Sequence, residues 1–68
     1  MDLEIVAKRT KELTESGVSK STAGDIVNIE SVIMDGAELS QAEAERLEIF
    51  RNQFKGVLMG KEAVDRLR

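Results

Sequence analysis

Residues 12–28 of the 68-residue chain read ELTESGVSKSTAGDIVN. Gly17 is where a helix is expected to end, because glycine adopts the left-handed conformation of a C-terminal cap without a steric penalty. Ser19 follows at the position that caps the next helix, since its hydroxyl accepts from the free amides of a first turn. Val18 is expected to be buried in the angle between the two helices. This stretch therefore predicts two helices joined by a tight turn.

Apolar residues extend both helices away from this turn at helical spacing. The first helix is predicted from about residue 3 to 16, with Asp2 as its N-terminal cap. The second is predicted from Ser19 to about Met34. The apolar stripe of the first comprises Leu3, Val6, Thr10 and Leu13, and that of the second comprises Ala23, Ile26, Ile29 and Ile33.

A third helix is predicted to begin at Ser40, because Ser40 and Glu43 have the spacing of a capping box. A three-four spacing of apolar residues then continues for four turns, and Gly56 is expected inside this helix, at a close approach to another helix. The apolar stripe comprises Leu47, Phe50, Phe54 and Val57. We expect this stripe to pack inside the subunit, with pairing between two subunits as the alternative.

Gly36 and Gly60 are expected to end helices as Gly17 does. Beyond Gly60, an ion pair between Glu62 and Arg66 and a small apolar face predict a short fourth helix or a frayed tail. No strand-like alternation occurs. The chain is therefore expected to be a single helical domain over residues 1–68, an all-α bundle of three helices followed by a short fourth helix or a frayed tail.

The absence of two residue types bears on whether the protein is an enzyme or a metal-binding protein. Cysteine and histidine are absent, which removes disulfides, the usual zinc ligands and the commonest catalytic base. The serines and threonines lie where caps and turns explain them. We therefore expect no enzyme, no metal site and no cofactor.

Size and hydropathy lead to two further expectations. A core built from so short a chain is marginal without disulfides or metals, so we expect a homodimer or a bound partner. No apolar run approaches the roughly 20 residues that cross a bilayer, and Met1 and Asp2 do not begin a signal peptide. We expect a cytoplasmic protein that does not bind membranes.

The formal charge of −3 conceals an acidic middle of the chain. Residues 25–48 carry seven acidic residues against Arg46 alone, whereas residues 49–68 carry five basic residues against two acidic ones. An acidic helical surface suits a small regulatory protein, of the phage or mobile-element type, that inhibits or modulates a host or regulatory protein through a basic surface. The candidate protein-binding residues are Glu38, Glu43, Glu45 and Glu48.

The alternative function is binding of operator DNA. Residues 12–28 resemble the helix-turn-helix of small bacterial and phage repressors, in which apolar residues on either side of a glycine fix two helices at an angle. The matching residues are Leu13, Gly17, Val18, Ala23 and Ile26. The resemblance implies that the helix starting at Ser19 enters the major groove as a recognition helix. The implied DNA-binding residues are Lys20, Ser21, Thr22, Asp25 and Asn28.

A second resemblance covers residues 29–58. The string IESVIMDGAELSQAE, followed by a long helix, resembles the Hha-type modulators. These are four-helix proteins of about this length that bind a nucleoid protein instead of DNA. This resemblance implies a protein-binding function.

Overall fold

The computed structural model describes all residues 1–68 and contains four helices and no strand. The helices are α1 (Leu3–Glu15), α2 (Lys20–Met34), α3 (Gln41–Gln53) and α4 (Lys61–Leu67). α2 is the central helix, because α1, α3 and α4 each pack against it. The predicted all-α bundle is confirmed, and residues 61–67 form a fourth helix.

The predicted helix starts are formed by the predicted side chains. The Asp2 carboxylate accepts a hydrogen bond of 2.7 Å from an amide of the first turn of α1. The Ser19 hydroxyl does the same for α2 at 3.3 Å. Ser40 and Glu43 form both hydrogen bonds of the capping box at the start of α3. α1, α2 and α3 therefore begin where a capping side chain satisfies amides that have no partner inside the helix.

The third helix ends earlier than predicted. α3 stops at Gln53, and Gly56 has φ +89° in the connection 54–60, so its predicted position inside a helix is wrong. Leu47 is buried, while Phe50, Phe54 and Val57 are half-buried against the core. The stripe thus packs inside the subunit, but from a helix and the following turn and not from one continuous helix.

Two predictions for the C-terminal region are also wrong. Gly60 does not end a helix; it precedes α4 as its N-cap, with φ +76°. Glu62 pairs with Arg51 of α3 at 2.9 Å and not with Arg66, whose guanidinium reaches Glu12 of α1. The reason is that α4 is too short to be stable alone, so its charged residues stabilise it through contacts with other helices.

The core is aliphatic and centred on α2. Its buried members are Leu13, Val18, Ala23, Ile26, Val27, Ile29, Leu47 and Met59. Val18 is 3% exposed, so it is buried beside the turn between α1 and α2 as predicted. Half of this cluster comes from α2, which explains why the other three helices pack on it.

The buried face of α1 is rotated relative to the prediction. Leu3 is 85% exposed, whereas Arg9 is only 2% exposed. Nε and Nη2 of Arg9 donate to the two carboxylate oxygens of Glu30, at 2.8 and 2.9 Å, and Glu30 is fully buried as well. A bidentate ion pair therefore lies in the interior between α1 and α2.

Backbone groups of the connection 54–60 complete this ion pair. Arg9 also donates to the carbonyl of Leu58 at 2.6 Å, and the amide of Gly60 donates to Glu30 at 2.9 Å. Burial by itself lowers the pKa of Arg9, but hydrogen bonds and charges from Glu30 and Glu12 outweigh burial and raise this pKa above its ordinary value. No buried polar side-chain atom is left without a partner. The pair therefore joins α1, α2 and the segment that leads into α4.

We expect Arg9→Ala to lower the free energy of unfolding by about 3–5 kcal/mol, because it leaves the buried Glu30 carboxylate without its cationic partner. Glu30→Ala should cost less, because Arg9 keeps its ion pair with Glu12. The double variant Arg9→Met/Glu30→Leu removes both charges and should recover most of that loss. Urea denaturation followed by circular dichroism measures all three. Single variants that each cost less than about 1 kcal/mol would contradict this account of the pair.

Gly60 is tightly enclosed, and Gly36 provides a matched control. A Cβ at Gly60 would lie 2.8 Å from Cδ2 of Leu47 and 2.9 Å from Nη2 of Arg51, whereas one at Gly36, with φ +80°, would meet nothing within 4 Å. Gly36→Ala should cost about 1–2 kcal/mol from backbone strain alone. Gly60→Ala should cost about 2–4 kcal/mol, because overpacking adds to the strain. Thermal denaturation measures both variants. Equal losses in the free energy of unfolding for Gly36→Ala and Gly60→Ala would show that the enclosure of Gly60 has no energetic effect.

Candidate functional site

The largest surface concavity is an open groove of about 520 Å³ between α2 and α3. It is lined by Asp25, Asn28 and Ile29 of α2 and by Ala42, Glu43, Glu45, Arg46 and Ile49 of α3. We call it the α2–α3 groove. Ile29 belongs to the core and is 3% exposed, whereas Ile49 is 62% exposed. The groove therefore offers accessible apolar surface among charged side chains.

The spacing along α3 explains why one of its faces is open. Ala42, Glu45, Arg46 and Ile49 follow one another at intervals of three, one and three residues, so they share one face of the helix. Leu47 projects from a different face and is buried against the core. The groove is lined by α2 and α3 alone. Apart from α2 at one edge, this face of α3 is exposed.

The charges of the groove are mostly unneutralised. Three carboxylates line it against the single guanidinium of Arg46, which gives a formal charge of −2. Asp25, Glu45 and Arg46 take part in no ion pair. The Ser40 amide donates to the Glu43 carboxylate at 3.0 Å, and hydrogen bonding with the backbone and side chain of Ser40 lowers the pKa of Glu43. Glu43 is thus ionised at neutral pH.

The structure divides the predicted protein-binding residues into two pairs. Glu43 and Glu45 line the groove. Glu38 is exposed in the segment before α3, and Glu48 is exposed on α3, but neither lines the groove. The two carboxylates outside the groove are therefore natural controls for the two inside it.

The predicted DNA-binding residues also divide. Lys20 and Ser21 are exposed in the first turn of α2, and half-buried Thr22 accepts a hydrogen bond from the Ser19 hydroxyl. Asp25 and Asn28 lie further along α2 and line the groove. The second half of the predicted reading face therefore lies next to the carboxylates of α3.

The residues that carry the helix-turn-helix resemblance lie where α1 meets α2. Leu13, Ala23 and Ile26 are 0% exposed, and Val18 is 3% exposed. Gly17 has φ +98° in the turn. The structure places all five at the junction of the two helices, which leaves the exposed side of α2 available for a ligand.

Ala42, Arg46 and Ile49 were not predicted as site residues. Ile49 was missed because it lies outside the stripe that begins at Leu47, and a single exposed isoleucine is common on protein surfaces. Its seven-residue spacing from Ala42 was the available signal, since that spacing places both on one helical face. The apolar part of the groove was therefore visible only as a weak pattern.

The comparisons with known proteins give no relative. No family model matches the chain, and neither a curated protein nor a solved structure shows significant similarity to it. No cluster of three or more acidic side chains is arranged to hold a metal ion. None of the four helices has the length and apolar character needed to traverse a bilayer.

Glu43 should make the stability of the protein depend on acid pH. Its pKa is lowered from an ordinary value of 4.5 in the folded state, so its stabilising effect is complete above that value and is lost as the pH falls through the lower folded pKa. Glu43→Gln keeps the capping geometry without the charge and should reduce this pH dependence. Thermal denaturation from neutral to strongly acid pH tests this, and identical pH profiles for the two proteins would contradict it.

Proposed function

We propose that this chain is a non-catalytic small regulatory protein that binds another protein through the α2–α3 groove and thereby inhibits or modulates it. The observation that carries the proposal is the open face of α3, where the exposed Ile49 lies among carboxylates that have no ion-pair partner. Such a surface combines an exposed apolar side chain with a net negative charge. In a protein interface the apolar contact contributes affinity, and complementary charge selects the partner.

The free energies of the apolar contact and of the ion pairs differ, so Ile49 and the carboxylates contribute differently to binding. Complete burial of an isoleucine side chain contributes about 1.5–3 kcal/mol, so removing the exposed part of Ile49 from water supplies a central apolar contact. Each exposed ion pair contributes only about 0.2–1 kcal/mol. The carboxylates therefore act mainly on the rate of association and on the choice of a basic partner.

The second candidate function is DNA binding, which the geometry of α1 and α2 favours. The turn at Gly17 and the buried contacts around it leave Lys20 and Ser21 exposed at the start of α2, as a recognition helix requires. Phosphate contacts depend on lysine and arginine. Beside Asn28, however, lie the carboxylates of Asp25, Glu43 and Glu45, which repel phosphates. We therefore prefer protein binding.

The decisive test compares two charge reversals on the same helix. Glu45→Lys changes the groove, whereas Glu48→Lys changes an exposed carboxylate outside it. We expect Glu45→Lys, but not Glu48→Lys, to weaken capture of a protein partner from a lysate of the native host by about tenfold. Capture should survive nuclease treatment, and equal circular dichroism spectra of both variants would show that folding is unaffected.

The DNA-binding candidate predicts the opposite pattern. Enrichment of a short operator-like DNA that is lost in Lys20→Ala and Asn28→Ala would support it, and binding would then weaken steeply as salt is added. Equal loss of the protein partner in Glu45→Lys and Glu48→Lys would contradict a role for the groove, because it would assign the effect to net charge.

A further inference from the structure

We infer that the partner segment bound in the α2–α3 groove is a basic amphipathic α-helix of about two to three turns. This inference rests on the proposed function and specifies the chemistry of the partner. It draws on three properties of the groove: its dimensions, its charge, and the position of its apolar residues.

The dimensions fit a helix. Ala42 and Ile49 are seven residues apart on α3, which corresponds to about 10 Å or two helical turns. The opposite wall is one turn of α2, from Asp25 to Ile29. A helix laid between two helices makes contacts at positions i, i+3 or i+4, and i+7, so its contacting face spans the same two turns. Such a helix would cover the exposed face of α3.

The charges select a basic helix. The formal charge of −2 in the groove comes from Asp25, Glu43 and Glu45 against Arg46. Lysine or arginine residues that flank the apolar face of the bound helix would approach these carboxylates and be attracted to them. The apolar residues between them would contact Ala42 and Ile49, which are the exposed apolar residues of the groove. An acidic helix of the same shape would be repelled.

A second copy of the chain is a poor occupant of the groove. A symmetric dimer through this surface would bring two grooves of formal charge −2 together. The chain's own C-terminal helix, α4, cannot supply a complementary basic face, because Lys61 and Arg66 are balanced by Glu62 and Asp65. Its apolar residues Ala63 and Val64 are also buried in the subunit. The occupant is therefore expected to come from another protein, and self-association through a different surface is a separate prediction.

Arg46 provides a variant that should improve binding. It is the only cationic side chain that lines the groove, and it opposes the approach of a basic helix. Arg46→Gln leaves the three carboxylates and removes the opposing charge. Tighter binding by this variant cannot be explained by unfolding, so it complements variants that weaken binding.

The test uses two synthetic peptides of about four helical turns. Both carry leucines at positions i, i+3 and i+7, and they differ only in having lysines or glutamates beside the leucines. Each is titrated into the isotope-labelled full chain, and backbone amide shifts are followed by NMR. We expect the lysine peptide to bind at least about tenfold more tightly, with shifts confined to residues 25–29 and 42–49.

The affinity of each variant for the lysine peptide should rise as the formal charge of its groove becomes more negative. Glu45→Lys should weaken binding of the lysine peptide about tenfold, Arg46→Gln should strengthen it severalfold, and Glu48→Lys should leave it within about twofold. Added salt should weaken binding to the native chain, because exposed charges are screened.

Several outcomes would overturn the inference. Equal binding of both peptides, shifts outside the groove, or no binding would each do so. If Glu45-dependent capture of a partner still occurs, only the inference about the helix fails and the proposed function stands. A dimer in sedimentation that dissociates on Ile49→Asp would assign the groove to a second copy, and DNA-induced shifts at residues 42–49 would assign it to nucleic acid.

Discussion

The buried ion pair between Arg9 and Glu30 is the constraint on which the arrangement of the helices depends. Removing both charges from water is costly, so the pair is stable only when all of its hydrogen bonds are made together. Those bonds come from α1, from α2, and from the backbone at Leu58 and Gly60. Gly60 in turn lies directly beneath Leu47 of α3. The interaction thus links α1 and α2 to the segment that enters α4, and that segment packs against α3.

The sequence predicts where these helices begin better than where they end. Ser19 and Ser40 act locally, so their caps could be recognised from neighbouring residues alone. The end of α3 depends on the return of residues 54–60 to the buried ion pair, and helical spacing of Phe54 gives no sign of it. The burial of Arg9 was not predicted, because buried arginine is rare. Its place among the apolar residues of α1, four before Leu13, was the available signal.

α2 connects the fold with the proposed function. One side of it carries half of the aliphatic core, and Asp25 and Asn28 on another side line the groove. Glu43 and Glu45 were predicted as binding residues from charge alone, whereas the contribution of Ile49 required knowing which face of α3 is uncovered. Charge pattern therefore located the acidic region, and packing defined the part of it that a partner can contact.

The central claim is that the α2–α3 groove contacts a protein in the cell. Photo-crosslinking in the native host tests it most directly, with a photoreactive residue in place of Ala42 inside the groove or in place of Glu48 on the same helix outside it. The account predicts a covalent adduct with one protein from position 42 and little or none from position 48. An adduct with DNA from position 42, or equal adducts from both positions, would contradict it.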